Sequence, residues 1–403
     1  MQSAAQKRHL INSPTPLCRR MSSFTRPQSR KDADFFRRTV RTMIQLNFNR
    51  AEQEKLSRLQ TVFSRNRRLM RLYSAYLSDS PNLVTKDMTE TLSRECGVSP
   101  SFAYASCLSV FFGLDTEHSA EDRRFEREYL VPSVRQLDPK RYTENPYYRT
   151  VRVPESEQCG NWELRQETYP ACRAFVCGGP VLHEGFREYP QIGFFDEPFR
   201  FPAVLENRNE WMTLTPVDLD TSVEAIAMAH GKVVTFGLGL GYFAFMASEK
   251  KDVRSVTVIE KSPDVIRLFR TYILPQLPHA DKIRIVQADA FEYAEKIMPQ
   301  EHFDMAFADT WRDVSDGLGM YLRMKRLERC SPGTTFVYWI EDMILSHLRG
   351  LVFDSLTRRT EDAVRFFPGE DRTLKTCREL EELLTDAALR NAAPLMQPPP
   401  AGF

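Results

Sequence analysis

The stretch VVTFGLGLG, Val233 to Gly241, with VTVIEK after it at Val256 to Lys261, decides the fold of this chain. An apolar run of strand length ends in Gly237, Gly239 and Gly241, and a second one closes on the carboxylate of Glu260. Continuous apolar runs of this kind suit strands buried on both faces, as in a parallel sheet covered by helices. At the carboxyl ends of such strands, glycines let the backbone approach a ligand closely. An acid closing the next strand accepts hydrogen bonds from both hydroxyls of a ribose. The pair therefore speaks for a nucleoside in the crevice.

Downstream, strand and helix patterns alternate. Candidate strands fall at 233–236, 255–259, 283–287, 305–308 and 335–340, with helical runs at 242–249, 263–273 and 291–298 between them. The fold class expected is α/β, a Rossmann-like parallel sheet with helices on both faces. Two more acids arrive at strand tips: Asp289 in IVQADAFEY and Asp309 in FDMAFADTW. Helix capping explains any one of these acids as well as ligand binding does, but explains the ordered set poorly. As a set they fit an adenosine: Glu260 for the ribose diol, Asp289 with the Ala290 backbone for the adenine edge, and the glycine turn for the sugar and amino-acid tail. A dinucleotide site would set its pyrophosphate where this chain has the bulky Tyr242 and Phe243. S-adenosylmethionine carries no phosphate and fits better.

On VVTFGLGLGYF, VTVIEKSPDVIRLF, KIRIVQADAFEY and FDMAFADTW, the chain resembles the class I S-adenosylmethionine-dependent methyltransferase superfamily, and within it the spermidine-synthase-like branch. The resemblance covers about residues 211–340. It implies that Gly237, Leu238, Gly239, Gly241, Glu260, Asp289, Ala290 and Asp309 line the cofactor pocket, with Asp309 as the catalytic base or orienting group. Two departures stand out. Thr235 takes the place of an acid that many methyltransferases carry two residues before the first glycine. The loop Asp309-Thr310-Trp311-Arg312-Asp313 replaces an acidic diamine-binding loop, and Arg312 would repel a cationic diamine. The reading is thus a methyltransferase using S-adenosylmethionine on an unknown small-molecule acceptor. Its alternatives are aminopropyl transfer from the decarboxylated cofactor and a noncatalytic module on the same scaffold. Trp311 is read as packing or as an acceptor wall. Glu341 and Asp342 are read as a helix cap or a cation site, with no metal expected.

The rest of the 403 residues reads as accessory structure. Residues 1–30 are poor in large apolar side chains and are expected to be a disordered tail. Residues 31–146 show helical periodicity and form a helical domain, and 147–216 form a β-rich connector of short alternating segments: TVRVPE, WELRQETY, RAFVCGG, QIGFF, RFPAVLE and WMTLTP. The cofactor domain spans 217–345, a helical extension 346–390, and a Pro-rich disordered tail 391–403. Residues 1–75 hold 17 Lys and Arg against four acids, which suits either nucleic acid or helices docked on an acidic body. The second is preferred, because the basic residues alternate with apolar ones at helical spacing; LSRECGVSPSFAYASCL looks like a helix-turn-helix, but its second helix offers no Lys or Arg for base edges or phosphates and reads as a core helix. Eight scattered cysteines without a CxxC pair, no signal-peptide core and no apolar run of membrane length point to the cytoplasm. Cys159, Cys172, Cys177 and His183 match no zinc spacing. A homo-oligomer is left open.

Overall fold

A computed structural model describes residues 50–356. The expected tails, the helical readings for 31–49 and 357–390, and the Pro-rich end lie outside the described residues. Five strands form the central sheet: β8 (Gly231–Phe236), β9 (Val253–Glu260), β10 (Ile283–Gln287), β11 (Met305–Ala308) and β12 (Thr335–Tyr338). All pair in parallel, in the order β10-β9-β8-β11-β12. This is the doubly wound Rossmann-like arrangement that the glycine-acid pattern implies. The order reverses between β8 and β11, so the topological switch point falls at the glycine turn. Register brings the tips level: Phe236 lies beside Ile259 on one side and Ala308 on the other, and Gln287 pairs with Glu260.

The central strands β8 and β11 are apolar because both their faces are covered. Val233, Val234 and Phe236 of β8 and all four residues of β11 are buried. The helices are α4 (Pro216–Met228) before β8, α5 (Tyr242–Ser248), α6 (Pro263–Leu268), α7 (Ala290–Lys296), α8 (Val314–Leu327) and α9 (Glu341–Leu356). Phe243 of α5 stacks on Phe307 of β11 at 4.3 Å between ring centroids, and Tyr293 of α7 meets Phe236 edge-on. Burying each such ring contributes about 2 kcal/mol.

Ahead of the sheet, α1 (Arg50–Asp79), α2 (Lys86–Cys96) and α3 (Pro100–Phe111) follow the expected periodicity. Gly97 ends α2 at φ 66°, the left-handed value that stops a helix, and Ser99 caps α3 with Pro100 at its first position. Helix α3 buries Ala103, Tyr104, Ala105 and Leu108. The Tyr104 ring stacks on Phe194 at 4.2 Å and its hydroxyl donates to the Cys172 carbonyl, so α3 is built for packing. Two basic side chains of α1 meet acids: Arg68 pairs with Asp122 at 2.8 Å and Arg65 with Glu121 at 3.9 Å.

The intervening strands make two further sheets. β1 (Val134–Gln136), β4 (Phe175–Leu182) and β5 (Glu188–Phe194) form one, and β2 (Ser156–Cys159), β3 (Trp162–Tyr169), β6 (Phe199–Glu206) and β7 (Asn209–Thr213) form an antiparallel other. One expected strand is not there. TVRVPE alternates correctly, and Val151 and Val153 are buried, but Pro154 has no N–H for a ladder and the Arg152 amide donates to the Gln276 side chain. The last central strand also stops two residues short of the expected 340, where Ile340 turns to φ 50° and opens α9.

Candidate functional site

Three loops converge at the switch point. The glycine turn after β8 is tied to its neighbours through the amides of Gly237, Leu238, Leu240 and Gly241. The Gly237 amide donates to the Ile259 carbonyl at 2.8 Å, and the Leu238 amide donates to Glu260 Oε2 at 3.1 Å. Gly237 takes φ 101°, and a Cβ there would lie 1.9 Å from the Asp309 carbonyl oxygen. The first glycine thus lets the β11 tip close on the turn. Gly241, at φ 71°, leaves room for the Phe269 ring.

Glu260 occupies the β9 tip with both oxygens engaged by backbone: Ser262 N–H at 2.7 Å on Oε1 and Leu238 N–H on Oε2. Burial pushes its carboxyl above the usual range, while the amides of Ser262, Leu238 and Lys261 pull it back. No cation pairs with it among the described residues. An ionised carboxylate with one lone pair used on each oxygen and no countercharge accepts well from neutral hydroxyls. Asp289 caps α7, accepting the amides of Phe291 and Glu292 through Oδ1, and its Oδ2 lies 3.7 Å from Lys261 Nζ. Ala290 is the buried first residue of that helix. Capping uses Asp289 Oδ1 and Lys261 faces Oδ2, so its local bonds give no separate sign of an adenine.

Asp309, just past β11, is different. It is half-buried, and among the described residues no donor or cation meets its carboxyl. Desolvation, followed by the buried Asp218 carboxylate of α4, pushes it from the ordinary 3.8 up to about 8. Asp218 is itself raised to about 6 by burial, against donors from Thr215 and Thr213. The next two residues also carry uncommitted polar atoms: Thr310 Oγ1 and Trp311 Nε1 are buried with no hydrogen-bond partner among the described residues. Arg312, by contrast, has an acidic partner. Its Nε donates to Asp316 at 2.8 Å and its guanidinium lies 5.4 Å from the centre of the Trp211 ring. The charge that would repel a diamine is therefore neutralised.

Several residues of the site were not legible as such in the sequence. Met212 of β7 lies over the turn, its Sδ 3.3 Å from the Leu240 amide and in the space a Cβ on Gly239 would fill. From the other side, Tyr147 of the short helix Pro146–Thr150 donates to the Leu240 carbonyl at 2.6 Å, and Asn145 donates to the Tyr242 hydroxyl. The only advance signal was for Asp218: Thr215-x-x-Asp218 is a capping box, and it forms. Glu341 accepts the Tyr321 hydroxyl and pairs with Lys325 at 3.4 Å. No group of three or more His, Cys, Asp or Glu among the described residues is placed to hold a metal. No described helix is long and apolar enough to cross a membrane.

No protein-family model matches the chain, and no curated protein is similar to it at a significant level. Solved structures overlap it in part. A precorrin 8W decarboxylase of Methanobacterium thermoautotrophicum is 21% identical over 28% of this chain and 59% of its own, with a TM-score of 0.23. The spermidine synthase of Thermotoga maritima is 15% identical over 50% and 63%, with a TM-score of 0.29. A probable spermidine synthase of Corynebacterium glutamicum is 13% identical over 47% and 63%, with a TM-score of 0.27. The chain thus spans about three fifths of the length of each. With overlap this partial, the fold assignment rests on strand order and connectivity: a Rossmann-like α/β sheet with the switch point at the glycine turn.

Proposed function

We propose that the chain is a transferase that binds S-adenosylmethionine or a close derivative and moves a group from its sulfonium to a small acceptor beside Asp309. The observation that carries this reading is the Glu260 carboxylate, presented by backbone amides without a counter-cation and set against the glycine turn. That chemistry suits a ribose diol. When bound, a sulfonium cofactor supplies an electrophilic carbon with a thioether as leaving group. The chain's own work is alignment and proton handling. Glu260 fixes the sugar and Asp309 receives the proton that the acceptor loses. A carboxyl held at about 8 is poised for that exchange near neutral pH, and transfer should rise as pH approaches 8.

A second reading, aminopropyl transfer to an amine, is favoured by one specific observation. Arg312 is neutralised by Asp316, whereas Asp309 and Asp218 have no cation facing them among the described residues, so an ammonium-bearing acceptor would meet uncompensated acid. Titration of the full-length protein with S-adenosylhomocysteine tests the binding step common to both readings. Saturable binding that Glu260→Ala weakens is expected, and no binding to the unaltered protein would overturn them. Product formed from decarboxylated S-adenosylmethionine and putrescine, but not by methylation, would select the second.

A further inference from the structure

The space above Gly239 is where the functional reading puts the arm of the cofactor that leads from the sugar to its sulfur. In the structure, that space holds protein. Met212 reaches across from β7, and its Cβ, Cγ and Sδ all lie within 3.6 Å of where a Gly239 Cβ would be. Its thioether accepts the Leu240 amide at 3.3 Å. The neighbouring turn amides already have partners: Gly237 on Ile259, Leu238 on Glu260 and Gly241 on the Leu238 carbonyl. Among the four bonded turn amides, Leu240 therefore has the weakest acceptor, since a thioether sulfur binds hydrogen poorly beside a carbonyl or carboxylate.

The strand that delivers Met212 is irregular at this point. Val204 of β6 pairs with Met212 but Leu205 pairs with Glu210, so Trp211 is an extra residue in β7. Such a bulge bends a strand and re-aims its side chains. Trp211 packs edge-on against Trp162 and lies under the Arg312 guanidinium, which anchors the strand, while the methionine beside it is unbranched with three rotatable side-chain bonds.

Resting on the proposed cofactor reading, we infer that Met212 is a displaceable stand-in for the sulfur arm of the ligand, covering Gly239 and the Leu240 amide until the arm takes its place. The geometry is specific about which part of a ligand competes with it. Glu260 bonds the Leu238 and Ser262 amides and Asp289 caps α7, whereas the Met212 sulfur bonds the Leu240 amide, so a nucleoside without an arm has no need to move Met212. A ligand with an arm does.

The test compares two probes, adenosine and S-adenosylhomocysteine, on the full-length protein and on Met212→Ala by titration calorimetry. Removing the side chain should tighten S-adenosylhomocysteine about fivefold, the scale of one weak contact and its packing, and leave adenosine within about twofold. Met212→Leu keeps an apolar side chain without the sulfur acceptor; it guards against a folding defect and should move the same way by less. Weaker binding of S-adenosylhomocysteine to Met212→Ala would make Met212 a fixed wall of the site and overturn the inference, as would equal changes for both probes. Binding of neither probe to any of the proteins would instead remove the cofactor reading, and this inference with it.

Discussion

Glu260 and Asp309 stand at strand tips on either side of the same glycine turn, and the sheet treats them oppositely. Glu260 is raised by burial but receives a backbone amide on each oxygen. Asp309 is raised by burial and by Asp218 and receives no donor from the described residues. The first arrangement orients a carboxyl at a fixed place through backbone amides that oppose the cost of its burial, which is what holding a polar ligand requires. The second leaves a carboxyl whose proton is loosely decided at neutral pH, which is what proton transfer requires. The difference arises from the course of the chain just beyond each strand. After Glu260 it turns at once into Ser262 and the α6 N-terminus, whose amides point back. After Asp309 it runs on through Thr310 to Arg312 before Asp313 caps α8, so the helix amides are spent on Asp313 and Asp316 instead.

The harshest way to break the comparison is to force the two tips apart. Gly237→Ala would place a methyl 1.9 Å from the Asp309 carbonyl, at a φ that alanine avoids. We expect a loss of about 3 kcal/mol of stability by chemical denaturation, together with loss of nucleoside binding. Full retention of both would mean that the turn and the β11 tip are not locked together.

Removing the charge from one side should come next. Glu260→Ala should weaken S-adenosylhomocysteine tenfold to a hundredfold, about 1.4 to 2.8 kcal/mol, through loss of charge-assisted hydrogen bonds. Calorimetry reads it directly, and unchanged affinity would end the assignment of Glu260 to the ribose.

Removing it from the other side should do the reverse for stability. The folded Asp309 binds its proton up to about pH 8, whereas an unfolded aspartate releases it near 3.8. The folded form therefore loses stability relative to the unfolded one as pH rises from about 4 to about 8. Asp309→Asn has no such loss. It should be more stable than the unaltered protein by about 2 kcal/mol at pH 8, a figure reduced for the solvent that reaches the half-buried carboxyl, with the gain vanishing near pH 4. A difference that does not change with pH would show Asp309 to be ionised in the fold throughout.

Much of this was legible in the sequence because the central sheet is made from local signals. VVTFGLGLG and VTVIEK specify strand, turn and tip without reference to anything distant, and β8 to β11 lie where their apolar runs place them. TVRVPE shows the limit of the same reasoning: its alternation was real and its burial came with it, but its Arg152 amide bonds the Gln276 side chain and no described strand pairs with it. The site itself was half legible. The glycines and acids came from a contiguous segment, yet their meaning changed on folding. The three glycines make room for the Asp309 carbonyl, Met212 and Phe269, all protein atoms, and Asp289 spends its bonds on a helix cap. Met212 and Tyr147 were invisible because their importance lies in contacts to Leu240 across 28 and 93 residues, which no local pattern encodes.

The smallest effect should come from Tyr147, and it isolates one side of the comparison. Tyr147→Phe keeps the ring that packs edge-on against Tyr242 and Phe245 and removes only the hydroxyl that donates to the Leu240 carbonyl at 2.6 Å. A buried carbonyl left without its donor costs about 1 kcal/mol, so denaturation should show a loss of that size. The consequence for function should be confined to the turn. Leu240 lies three residues from Gly237 and makes none of the contacts that raise Asp309, so the pH dependence of stability should keep its shape while S-adenosylhomocysteine weakens about threefold. If the mutation instead reshaped the pH dependence, the glycine turn and the Asp309 carboxyl would be one coupled unit, and the division between a holding acid and a proton-handling acid would fail.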